Sequence, residues 1–151
     1  MNTMTPVTLP ASQAGLDSAT AISVAGADGT SIETANFIIA ANTVKDTQND
    51  GQYFIVQSST SCYPDCTQKN IAVPYDILFN VSDNTFTISL LAEPLGSARI
   101  SAEQYLMHVL NVSKDDMCNL RYVVSTTSYV NPTYGGTNLG FSFCPNAVKL
   151  P

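Results

Sequence analysis

The chain has 151 residues, a formal net charge of −6, and only six Lys or Arg beside twelve Asp or Glu. This length is typical of one domain with a substantial core. The six cations are scattered and form no basic stripe, which argues against nucleic acid and anionic membranes as partners. No apolar run approaches the ~20 residues of a membrane span, so direct membrane insertion is not expected.

The first 30 residues are rich in Thr, Ala, Ser and Gly and have few apolar side chains to bury. We therefore predict an extended arm or linker over residues 1–30, followed by a single globular domain over residues 31–151. A modest strand signal lies inside the arm at residues 21–24. The start of the chain has no signal-peptide pattern, and we favour the removal of an export segment as the reason; the alternative is that the chain leaves the cell by lysis or inside a particle.

Several short strands are predicted in the first half of the globular domain. Residues 31–44 fit either a strand or a helix, and we favour a strand. Alternating polar and apolar residues at 85–91, after a tight turn at 82–84, indicate the clearest hairpin of the chain. The other predicted strands are 52–57, after a turn at 49–51, and 71–81, where Pro74 marks an edge or a bulge.

A helix and a last pair of strands are predicted in the second half. Ser101 and Gln104 form a capping-box pattern that starts a helix at 101–111. A second short helix is predicted at 114–120, with Asp115 and Asp116 at its positive end. Strands are predicted at 121–126 and 139–144, joined by a Tyr-, Asn-, Pro- and Gly-rich loop at 128–140. The pattern predicts an α+β fold whose sheet is mainly antiparallel.

The chain contains four cysteines: Cys62, Cys66, Cys118 and Cys144. Their even number and their spacing favour two disulfides, and hence an oxidising, extracellular or cell-surface location. Three pairings are possible, and we favour the local one, Cys62 with Cys66 and Cys118 with Cys144. A zinc site fits less well, because only the first pair has the spacing of a zinc-binding motif.

No catalytic residue, metal or cofactor is expected. His108 is the only histidine, and we place it on the apolar face of the predicted helix, in a core or interface role. Residues 46–51 resemble half of a calcium loop, but Gln48 and Gln57 stand where such a loop needs other ligands. Asn80 and Asn111 begin glycosylation tripeptides, which matter only in a host that glycosylates.

Two exposed turns are the candidate partner-binding sites. Tyrosines on polar loops are effective anchors in protein interfaces. A turn closed by the first cysteine pair would also present a rigid protrusion. The candidate residues are Tyr63, Pro64, Asp65, Tyr129, Asn131 and Tyr134.

The region from Cys118 to Cys144, with the helix 101–111 before it, resembles the globular head of bacterial pilins and pilin-like surface subunits. The resemblance covers less than a third of the chain, and the long apolar N-terminal helix of pilins has no counterpart here. It implies a non-enzymatic subunit that assembles outside the cell.

We therefore expect an exported structural or adhesive subunit of a surface assembly, whose partners are copies of itself or related subunits. The N-terminal arm is a candidate contact, through addition of a strand to a neighbour's sheet. The alternatives are a virion structural protein, or an extracytoplasmic ligand-binding module or small hydrolase.

Overall fold

The computed structural model describes residues 19–60 and 71–151. Within these ranges the fold is α+β and mainly antiparallel, as predicted from the sequence. The strands are β1 (Ala21–Ala25), β2 (Ser31–Ala35), β3 (Val44–Lys45), β4 (Gln52–Val56), β5 (Tyr75–Asn80), β6 (Thr85–Leu90) and β7 (Arg121–Thr126). The helices are a 3-10 helix at Phe37–Ile39, α1 (Leu95–Leu110) and α2 (Lys114–Cys118).

The strands form a two-stranded hairpin, β1–β2, and a five-stranded sheet in the order β3-β4-β5-β6-β7. Neighbouring strands are antiparallel except β6 and β7, which are parallel. A parallel neighbour requires the chain to return to the starting end of the sheet. Here α1 and α2 make that return.

One face of the sheet is the core of the protein. Alternation along β5 and β6 buries every second side chain on this face, including Phe79 and Phe86. The ring of Phe37, in the 3-10 helix, lies 4.8 Å from that of Phe79 and 5.5 Å from that of Phe86. Helix α1 contacts β5, β6 and β2. Each fully buried side chain of this size contributes about 1.5–3 kcal/mol to folding.

The strand β1 falls inside the predicted arm, and the globular part therefore begins before residue 31. Ile22 and Val24 are buried in the common core, and β1 pairs along its whole length with β2. The turn between them uses Gly29 at a φ of 88°, a conformation that glycine adopts without strain. Residues 1–18 of the predicted arm lie outside the described residues.

The segment 31–44 is a strand only in its first part. Asn36 ends β2, because its side chain accepts a hydrogen bond from Ile38 N at 3.0 Å and caps the 3-10 helix. Phe37 and Ile38 are buried on that helix. The apolar run that suggested a strand therefore reaches the core through a helical turn.

Helix α1 begins at Leu95, six residues before the predicted start, and the capping box at Ser101 is wrong. Pro94 occupies the N-cap position, and Glu93 Oε1 accepts a hydrogen bond from Leu95 N at 3.1 Å. Ser101 is an exposed residue inside the helix. The second helix was predicted more closely, and Ser113 caps it by accepting from Asp116 N at 3.1 Å.

The predicted last strand at 139–144 is also wrong. This part of the chain belongs to an irregular stretch, residues 139–148, which we call the C-terminal segment. Gly140 has a φ of 71°, which breaks an extended conformation. The carbonyl groups of Leu139 and Gly140 accept hydrogen bonds from the side chain of Arg99 on helix α1, and not from a neighbouring strand.

Candidate contact sites

The disulfide between Cys118 and Cys144 is confirmed, with the two Cα atoms 5.5 Å apart. It joins the end of α2 to the C-terminal segment. Of the other predicted site residues, five lie outside the described part of the chain: Cys62, Tyr63, Pro64, Asp65 and Cys66. Their pairing and partner-binding role remain predictions.

The loop after β7, residues 127–137, presents Tyr129 to solvent. The side chain of Tyr129 is 98% exposed, whereas Tyr134 is half-buried and packs against the core. A Tyr ring is an apolar surface with one polar end, so full exposure leaves a large contact area unused. Tyr129 is therefore the aromatic side chain of this loop that is available for a partner.

Asn131 holds the loop in shape instead of facing outward. Its Oδ1 accepts hydrogen bonds from Thr133 N at 2.9 Å and from Tyr134 N at 3.0 Å. Its Nδ2 donates to Glu93 Oε2 at 2.5 Å. The structure thus brings Asn131 and Tyr134 into the support of the loop and leaves Tyr129 at its surface.

Two glycines complete the support of this loop. A Cβ on Gly135 would lie 2.5 Å from the backbone of Ser128, so only glycine allows the two chain segments to approach this closely. Gly136 has a φ of 81°, and its N–H donates to Thr126 O at 3.2 Å. The loop is therefore fixed at both ends next to β7.

Sequence reasoning missed a buried ion pair, Arg99 and Glu103, on the side of α1 that faces the C-terminal segment. Arg99 is 5% exposed and Glu103 is 2% exposed. Arg99 Nη1 donates to the carbonyls of Leu139 and Gly140, both at 3.2 Å, and of Val148 at 2.9 Å.

The glutamate completes this arrangement. The carboxylate of Glu103 accepts from both the N–H and the hydroxyl of Ser142, and lies 3.8 Å from Arg99 Nε. Burial lowers the pKa of Arg99, and the Glu103 carboxylate opposes this effect. The pair therefore fastens the C-terminal segment to α1. The available signal was the spacing of four residues between the two charged residues of an otherwise uncharged helix.

A second polar contact fastens the β1–β2 turn to the start of β7. Asp28 Oδ1 accepts hydrogen bonds from the hydroxyl of Thr30 at 2.6 Å and from Asn119 Nδ2 at 3.0 Å. These hydrogen bonds, that of Thr30 first, lower the pKa of Asp28 to about 2. Asp28 is fully exposed, so the contact orients the turn without burying a charge.

His108 was predicted on the apolar face of the helix, in a core or interface role; it is exposed on the outer side of α1, so the core role is wrong. Within residues 19–60 and 71–151, no cluster of three or more His, Cys, Asp or Glu side chains could hold a metal ion. In the same ranges, no helix is both long and apolar enough to cross a bilayer.

Comparison of the chain with protein-family models, curated proteins and solved structures found no match in any of the three. The function is therefore argued from the residues themselves. The features available for that argument are Tyr129, the buried pair and the disulfide.

Proposed function

We propose that the protein is an exported structural or adhesive subunit of a cell-surface filament or similar assembly, and that it acts through protein–protein contacts without catalysis. The observation that carries this proposal is Tyr129, a fully exposed aromatic ring on a loop fixed by Asn131 and Gly135. A loop backbone held in place before binding needs little further ordering, so only the two side-chain torsions of Tyr129 are restricted when a partner covers its ring. Tyrosine is also among the residues that dominate interface energies.

The disulfide supports an extracellular location. The bond between Cys118 and Cys144 closes a sequence separation of 26 residues and would persist in an oxidising compartment. The similarity to pilin heads rests on the same bond, which ties the C-terminal part of the chain to the rest of the domain. The low content of charged residues also suits a surface that contacts other subunits.

The proposal is tested in the organism that makes the protein. Antibodies should label intact cells, and the chain should be recovered in the fraction sheared from their surface with Cys118 and Cys144 oxidised. Tyr129→Ala should lower that recovery, because truncating a central interface tyrosine costs about 2 kcal/mol or roughly thirtyfold in affinity. Thr133→Ala is the matched control, since Thr133 is exposed on the same loop.

Three results would overturn the proposal. One is a chain confined to the cytosol with free thiols at Cys118 and Cys144. Another is recovery of the chain in virus particles instead of on cells. The third is unchanged surface recovery of Tyr129→Ala, which would remove the observation on which the proposal rests.

A further inference from the structure

The outward side of α1 carries no permanent charge. All residues of α1 are described, and its two permanently charged side chains, Arg99 and Glu103, both point inward. Ile100 is 48% exposed in the middle of the outward side. We call this surface the outer helix face, and its exposed residues are Ser97, Ile100, Ser101, Gln104 and His108.

The side of the five-stranded sheet that faces away from α1 carries a row of mainly apolar side chains. The strand register places them next to one another across all five strands, over about 19 Å. They are half-buried or exposed, and Val123 is 37% exposed. We call this surface the open sheet face, and its central row is Val44, Phe54, Leu78, Thr87 and Val123.

The rows on either side of this central row are polar and nearly uncharged. Within the strands themselves, their only charged members are Arg121 and Asp76, which have opposite signs. Both are held by the protein itself: Arg121 donates to Gly26 O at 3.2 Å and to Asp83 O at 3.1 Å, and Asp76 accepts from Ser58 N at 2.7 Å. The other members are Gln52, Asn80, Thr85, Ser89 and Ser125.

The net charge of the chain, compared with the charge on these two faces, indicates which kind of partner the faces can bind. The chain carries a net charge of −6, so two copies repel wherever their acidic surfaces meet. A cationic partner would favour the acidic surfaces. The outer helix face carries no permanent charge, and on the open sheet face only Asp46, at the sheet edge opposite Gln52, adds to the balanced charges of Arg121 and Asp76. Surfaces with so little charge can approach an acidic partner with little repulsion, and a second copy of this chain is such a partner.

We propose that copies of the protein stack, with the outer helix face of one copy on the open sheet face of the next. This inference rests on the proposed function as an assembling subunit. Packing of a helix on a sheet repeats the arrangement already present within each copy. Contact between two helix faces fits less well, because it would set serines and Gln104 against each other around Ile100.

The geometry makes this stacking open-ended. The outer helix face and the open sheet face lie on opposite sides of the same two-layer domain. A contact between different faces is heterologous, and it continues into a filament unless a rotation closes it into a ring. Helix α1 has 16 residues and is about 24 Å long. Its length is therefore sufficient to cover the row of about 19 Å.

The test uses purified protein, and sedimentation velocity as a function of concentration is the measurement. The unmodified chain should form longer species as its concentration rises. Ile100→Glu blocks the outer helix face and Val123→Glu blocks the open sheet face, so each variant alone should stay monomeric. Their equimolar mixture should form dimers and nothing larger, because one intact face of each kind remains.

Every other outcome contradicts the proposal. Dimers of Val123→Glu alone would indicate contact between two helix faces, and dimers of Ile100→Glu alone would indicate contact between two sheet faces. Monomers in the mixture would show that the two faces do not bind each other. A monomeric unmodified chain at millimolar concentration would exclude self-stacking, while surface display on cells could still be found.

Two controls keep the test interpretable. Thr47→Glu adds the same charge on an exposed turn outside both faces and should assemble like the unmodified chain. Thermal melting should show that the variants are folded. If Val123→Glu fails to fold, Val123→Thr keeps the branched side chain that a strand favours, and it should weaken stacking at least threefold.

Discussion

At the scale of single residues, Arg99 shows how a charge can organise a region that has no regular structure. One nitrogen of its side chain binds three carbonyl groups of the C-terminal segment. Backbone groups in such a segment lack the partners that a strand would give them, and buried groups without partners are costly. The arginine supplies these partners from the helix.

We predict that Arg99→Met destabilises the protein by about 3 kcal/mol or more, because it removes three hydrogen bonds and leaves Glu103 as a buried charge without its cation. Urea unfolding measures the change. The double variant Arg99→Met/Glu103→Leu should recover part of the loss, since no lone charge remains. Lys149→Met, at an exposed position, should change stability by less than about 0.5 kcal/mol. A similarly small effect of Arg99→Met would contradict this account of the segment.

At the scale of elements, Ser101 and Ser113 test where the two helices begin. Ser101 lies inside the helix, whereas Ser113 caps α2 through its hydrogen bond from Asp116 N. Ser101→Ala should leave stability unchanged or raise it by up to about 0.5 kcal/mol, because alanine has the higher helix propensity. Ser113→Ala should cost about 1 kcal/mol.

Chemical denaturation of the two serine variants under the same conditions makes the comparison direct. Since both residues are exposed, neither substitution leaves a cavity. A loss of about 1 kcal/mol for Ser101→Ala would indicate that the helix begins at Ser101 after all.

Local sequence patterns predicted the strands whose side chains alternate between polar and apolar. They missed the features that depend on contacts with residues far away in the sequence. The alternation in β5 and β6 and the turn at 82–84 gave the hairpin and its buried face. The start of α1 was missed because Ser101 and Gln104 were interpreted as its capping box. Gly96, in the first turn of the observed helix, allows close approach of the chain at Pro151.

The contacts of the candidate sites were harder to predict for the same reason. The role of Asn131 depends on Glu93, which is 38 residues away, and that of Arg99 on carbonyls 40 or more residues away. The parallel direction of β7 was also not visible in its sequence. Strand composition indicates that a strand forms, and direction follows from the path of the chain between strands.

At the scale of the whole molecule, the disulfide and the buried ion pair both attach the C-terminal segment. The double variant Cys118→Ala/Cys144→Ala should lose about 3.5 kcal/mol of unfolding free energy by the chain-entropy estimate for a loop of this length. The segment should nevertheless stay in place, because Arg99 and Glu103 still hold it. Protection of the amides of Leu139 and Val148 from hydrogen exchange measures this. Loss of that protection under conditions in which the variant is still folded would show that the ion pair alone does not hold the C-terminal segment in place.

The parallel pairing of β6 and β7 also dictates an order of events for a chain that emerges N-terminus first. The hairpins β1–β2, β4–β5 and β5–β6 can form as soon as their residues are available. One edge of β6 stays unpaired until residues 121–126 have emerged and α1 has carried them back. During that interval the edge can pair with strands of other chains. Cys144 follows later still, so the bond to Cys118 can close only after all residues of β7 have emerged.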